Sequence, residues 1–201
     1  MPKIVDHAER REQLAAALWR VVVREGIDAA SLRRVAAEAG WSVGSLRHYF
    51  PSQSELLRFA MELVVRRVTQ RVAELPQHKD PLRAATLLLH QFLPLDADRR
   101  AEMEVWLAFA SRALIEPGLR ELRDEAHAGV RAACRRAVEL LGPAHPKLEA
   151  ERLHALVDGL AQHAIVAPAV TTPKRQRELL AAHLRSLAAA DPSQPDAETS
   201  G

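Results

Sequence analysis

One cysteine in 201 residues, Cys134, excludes an intrachain disulfide. The fold must therefore be held by packing, as expected of a chain kept in a reducing cytoplasm. Aromatic residues are scarce, at 4%, so the core must be built from Leu, Val and Ala. No stretch approaches the roughly 18 uninterrupted apolar residues of a membrane span. The opening residues, Met1 to Arg11, lack the apolar centre of a signal peptide, so neither export nor a membrane partner is expected. Sustained alternation of apolar and polar residues is missing, which argues against strands. Also missing are the Gly-x-Ser-x-Gly elbow, the phosphate loop, the GxGxxG turn and the His-Glu-x-x-His helix, so no enzyme and no cofactor is expected. His154 and Asp158 are four residues apart and can share a helix face, with His163 further on. A metal site needs three or four converging ligands, and the sequence supplies no such cluster, so no metal is expected.

What is present is helical periodicity from end to end. Leu14, Leu18 and Val21/Val22 form one apolar stripe over about 6–25, closed by Gly26. Ser31 is placed to cap a short helix to about Ala39, and Gly40-Trp41-Ser42 makes a tight turn into a third helix over about Val43–Tyr49. After Phe50-Pro51, Ser52 and Glu55 make a capping box for a long helix to about Ala73. Further helices are expected at roughly 82–93, 97–115, 118–141, 147–166 and 174–190, punctuated by Pro94, Pro117-Gly118 and Gly142-Pro143. The fold class is all-α, with about nine helices. A three-helix head over 1–50 precedes a helical-bundle body over 51–190, and a Pro-, Ser- and Asp-rich tail over 191–201 is expected to be disordered.

Charge agrees with this division. The net charge is only +2, but residues 1–75 carry 12 Lys and Arg against 9 Asp and Glu, while the rest carry 16 against 17. The basic excess sits at the front, where an anion-binding head would need it.

Residues 31–50, SLRRVAAEAGWSVGSLRHYF, have the make-up of a helix-turn-helix. Ala36 is small where the two helices must cross, and Gly40 permits the turn. Val35, Ala39, Trp41, Leu46 and Tyr49 are apolar anchors. With Leu46 and Tyr49 turned inward, Ser42, Val43, Ser45, Arg47 and His48 face outward as base-edge and phosphate partners, and Gly44 permits close approach to a groove. The candidate DNA-binding residues are Ser31, Arg33, Ser42, Val43, Gly44, Ser45, Arg47, His48, Tyr49 and Gln53. The partner implied is double-stranded DNA.

The segment from about Glu12 to Leu57 resembles the head of the TetR family of regulators. The resemblance rests on Gly26, Ser31-Leu32, Ala36, Ala39-Gly40-Trp41-Ser42, Tyr49-Phe50 and Pro51-Ser52-Gln53-Ser54-Glu55-Leu56. Three positions depart from the family pattern: Arg47 replaces a frequent Tyr, Gln53 a frequent Lys, and Val43 a frequent Lys or Pro. The resemblance implies a homodimer in which the body senses a small molecule and controls release from a palindromic operator. Val157-Asp158-Gly159-Leu160-Ala161, followed by His163-Ala164, resembles the choline-responsive, BetI-like branch more faintly.

Within the body, two stripes are expected at the dimer interface as a four-helix bundle: Leu153, Val157, Leu160 and Ala164, and Leu180, Leu184 and Leu187. The same stripes would equally serve to bury both helices within one chain. Candidate effector contacts are Leu88, Phe92, Met103, Trp106, Phe109 and His127, a mostly apolar set suited to an apolar effector. Two other readings stay open on residues alone: an all-helical small-molecule-binding protein or enzyme with a vestigial head, and a protein-interaction module built on the last two helices.

Overall fold

The computed structural model describes residues 7–189. Nine α-helices lie among the described residues, and no strand. They are α1 (His7–Glu25), α2 (Leu32–Ala39), α3 (Val43–Tyr49), α4 (Gln53–Ala73), α5 (Pro81–Leu89), α6 (Ala97–Ile115), α7 (Arg120–Leu141), α8 (Pro146–Val166) and α9 (Pro173–Ala189). Single turns of 3-10 helix occupy Ile27–Ala29, His90–Phe92 and Pro117–Leu119. The expected tail over 191–201 lies outside the described residues.

Two expected helices are shortened, and proline accounts for both. The segment expected over 82–93 is α5 plus the 3-10 turn, because Leu93 precedes Pro94 and is driven to extended backbone, with φ −104° and ψ 141°. The helix expected from 118 begins at Arg120, after a tight turn that opens on Pro117.

The chain divides into two compact units, each assembled from two stretches. The first holds the described residues up to Gln70 together with Asp96–Asp124. In it α1 packs on α2 and on α6, and α2 packs on α3. The stripe of α1 is inward as expected: Leu14, Leu18 and Val21 are fully buried, with Val35, Ala36 and Leu46 from the helix-turn-helix and Val105 and Phe109 from α6. Phe50 stacks tilted on Phe59 of α4, ring centroids 4.8 Å apart, which fixes the exit from α3. Polar contacts also tie the helices. The Trp19 indole N–H donates to Asp98 Oδ1 at 2.9 Å. Arg67 lies 4.3 Å from the Trp19 ring centroid and pairs with Asp98 and Glu102, each at 3.3 Å.

The second unit holds Arg71–Leu95 and the residues from Glu125 onward. Here α9 packs against both α5 and α8. The residues of the expected dimer interface lie on two of these helices, α8 and α9. Leu153, Val157, Leu160, Ala164, Leu180, Leu184 and Leu187 are all buried in a single chain, none more than 5% exposed. The stripes are apolar because α5, α8 and α9 bury them against one another.

Candidate nucleic-acid interface

Local chemistry builds the helix-turn-helix. Ser31 Oγ accepts from the Arg34 N–H at 3.2 Å and starts α2. Gly40 ends it in the left-handed region, at φ 71° and ψ 27°, where a Cβ is strained. The Trp41 N–H returns to the Ala36 carbonyl at 2.9 Å, closing the turn. Ser42 then caps α3, its Oγ accepting from the Ser45 N–H at 3.0 Å. The two hydroxyls also pair at 2.8 Å, so Ser45 presents a hydroxyl already oriented by its neighbour.

An ion-pair network clamps α1 to α2. Glu38 meets Arg20 at 2.8 Å and Arg24 at 2.7 Å. Glu25 meets Arg34 at 2.6 Å. Hydrogen bonds from Arg24 and then Arg20 hold Glu38 down to about 2, and those from Arg34 and then Arg24 do the same for Glu25. The network spans helices and was not anticipated; only the four-residue spacing of Arg34 and Glu38 hinted at it. It occupies Arg34, leaving Arg33 and Arg47 as exposed cations that take no ion pair among the described residues.

The outward face of α3 is a polar surface. Ser42, Gly44, Ser45, Arg47 and His48 are exposed, Val43 and Tyr49 are half-buried, and Leu46 is fully buried. Tyr49 turns its ring edge-on to Trp41 at 5.6 Å, and Arg10 covers Trp41 at 5.3 Å. Gln53 is exposed, but its side-chain amide donates to the Ala30 carbonyl at 2.9 Å. It braces the loop before α2 and can offer DNA only its second amide hydrogen. A cleft of about 400 Å³ lies beside this brace, lined by Ile27, Ala30, Gln53 and, from α6, Ala108 and Arg112.

The profile of the bacterial regulatory proteins of the tetR family matches residues 14–59. That of the BetI-type transcriptional repressor C-terminal domain matches 81–189. The chain is 38% identical over 199 residues to the HTH-type transcriptional regulator PksA of Bacillus subtilis, covering 95% of this chain and 96% of that one. The chain belongs to the TetR family. This TetR-family regulator is also 32% identical over 169 residues to BetI of Burkholderia thailandensis, covering 80% of this chain and 84% of the relative. A transcriptional regulator from Rhodococcus sp. Rha1 superposes with a TM-score of 0.78 at 34% identity, over 92% of this chain and 99% of the other. As a member of this family it is a transcriptional regulator and not an enzyme, and its head is the family's DNA-binding head.

The expected effector contacts fall in both units of the TetR-family chain. Leu88 and Phe92 are half-buried and His127 is exposed in the second unit. Met103 and Trp106 are half-buried in the first, and Phe109 there has no exposed surface. A second cleft, of about 340 Å³, is lined by His145, Glu149, Arg152 and His183, none of which was singled out from the sequence. No helix among the described residues is long and apolar enough to cross a membrane.

Proposed function

We propose that this regulator is a cytoplasmic, homodimeric repressor whose α3 helices read a palindromic operator and which a small, mostly apolar effector releases. The observation that carries the reading is α3 itself, capped by Ser42, anchored by Leu46, and exposing Ser45, Arg47 and His48 together. Gly44 between them meets no atom other than Ser42 Oγ near a built Cβ, at 3.8 Å, so backbone can approach a groove closely. Arg47, in mid-helix, is the base reader, with a guanidinium fork suited to guanine O6 and N7. Arg33 and the exposed hydroxyls of Ser42 and Ser45 serve the phosphates. Two α3 helices related by a two-fold axis require half-sites about one helical turn apart.

The dimer uses the face of α8 opposite its buried stripe. Ala155, Gly159, Gln162 and Val166 recur at helical spacing there, and Val166 is 70% exposed, with Val170 beyond it at 74%. A Cβ built on Gly159 meets nothing within 4 Å in the single chain, so the position is open to a second subunit.

Effector contact falls to the half-buried apolar side chains, Leu88 with Phe92 and Met103 with Trp106, which keep some surface free. Within the first unit the Trp19–Arg67–Asp98–Glu102 contacts join α1 and α4 to α6, so a shift of α6 is felt by the head. A ligand acts only by its differential affinity for two head spacings. Selection of bound DNA from a random pool, followed by footprinting, tests the operator. An enriched palindrome protected by wild-type protein is expected, and enrichment of no sequence overturns the reading. A thermal-shift screen in which every stabilising compound leaves DNA affinity unchanged overturns the induction step.

A further inference from the structure

Three side chains of ligand type meet at the surface of the second unit. His127 stands on α7, and His154 and Asp158 stand one turn apart on α8. One ligand atom from each lies within 4.8 Å of the other two. His154 Nε2 is 3.4 Å from Asp158 Oδ2, yet this buried nitrogen makes no hydrogen bond. The two imidazole rings lie 4.6 Å apart at their centroids, tilted by 47°. The sequence offered His154 and Asp158 as a pair; the packing of α7 on α8 brings the third.

We propose that His127, His154 and Asp158 form a binding site for a divalent transition-metal ion of the zinc class. A tetrahedral zinc with bonds of about 2.0–2.2 Å sets its ligand atoms about 3.3–3.6 Å apart. The His154–Asp158 pair already has that spacing, and a rotamer change of the exposed His127 closes the remainder. Two imidazole nitrogens and one carboxylate oxygen suit zinc and its neighbours, whereas magnesium and calcium take oxygen shells. Cys134 on α7 is fully buried in the core. The fourth position is left to water. An ordinary helical ion pair explains His154 with Asp158, but not the His127 ring set against the same imidazole.

Zinc titration of the full-length protein by calorimetry, with cobalt as a spectroscopic substitute, tests the site. One zinc per chain is expected with micromolar affinity, and cobalt should give the visible bands of a four-coordinate ion. His127→Ala and Asp158→Asn, both at exposed positions, should each weaken zinc at least about tenfold and abolish the cobalt bands. Should Asp158→Asn fail to fold, His127→Ala alone decides. No saturable uptake overturns the proposal. So does uptake that both variants retain, which would place the ion on other histidines, and so does a thiolate-to-cobalt band in the near ultraviolet, which would put Cys134 in the shell.

Discussion

Replacing Leu184 separates a core from an interface. Leu184 has no exposed surface in the single chain, in an α9 packed on α5 and α8. Leu→Ala at such a site removes transfer energy and leaves a cavity, together about 2–5 kcal/mol. The tight surroundings, with Leu153 and Leu180 also at 0% exposure, leave little room to collapse, so about 3 kcal/mol is the working value. At about 2–4 °C per kcal/mol for a chain of this size, the melting temperature should fall by about 6–12 °C. The mass by light scattering should stay at twice 22.3 kDa. Val166→Glu makes the complementary perturbation. Its 70% exposure means the charge stays solvated in one chain, so the fold survives while a dimer through that face is lost. Leu184→Ala protein that melts as wild type does but runs as a monomer would refute the assignment of α9 to the core. Both variants should be compared at one protein concentration, because dimer stability depends on it.

Arg47→Ala should cost about 1–3 kcal/mol on the selected operator and relax preference at one position per half-site, read by binding to a mismatch series; an equal loss on all DNA with a shallower salt slope would make it a phosphate contact. Ser42→Ala removes the cap of α3 and should lower stability by about 1 kcal/mol in chemical denaturation, while Ser42→Asp should restore the cap and still weaken DNA binding. Glu25 and Glu38 are held down to about 2 from an ordinary 4.5, so their contribution is complete above 4.5 and is lost as pH falls from there towards 2. Glu38→Gln should therefore flatten the acid limb of the melting temperature at low salt, and an unchanged limb would show the network to be idle. Cys134, fully buried with its thiol pushed up to about 12, should resist a disulfide reagent in the native protein and react on unfolding.

The head was legible because its signals are local. A cap at Ser31, a left-handed glycine at Gly40, a cap at Ser42 and inward Leu46 each act within a few residues, and each is where the spacing puts it. Helix ends were legible for the same reason, except where Pro94 and Pro117 turned a last or first turn into 3-10 helix. The body was not legible in the same way. Periodicity at Leu153, Leu160, Leu180 and Leu184 says that one face is covered, and says nothing of whether the cover is α5 of the same chain or a helix of another. His127 lies 27 residues before His154, and only the packing of α7 on α8 makes them neighbours. The Arg20–Glu38 and Arg24–Glu38 pairs were hidden likewise, since a surface charge has many candidate partners and the fold picks one.

The first unit takes α6 from beyond α5, so the helix-turn-helix is not a cassette. Trp19 of α1 finds its hydrogen-bond acceptor in Asp98 and its covering cation in Arg67, both far outside residues 1–50. A chimera that grafts the first 50 residues onto an unrelated body would carry an indole N–H without its acceptor and leave the α6 side of Leu14, Leu18 and Val21 uncovered. Swapping operator specificity between relatives should thus succeed by exchanging α3 side chains alone, or by moving the head with α4 and α6 together, and fail at any cut between.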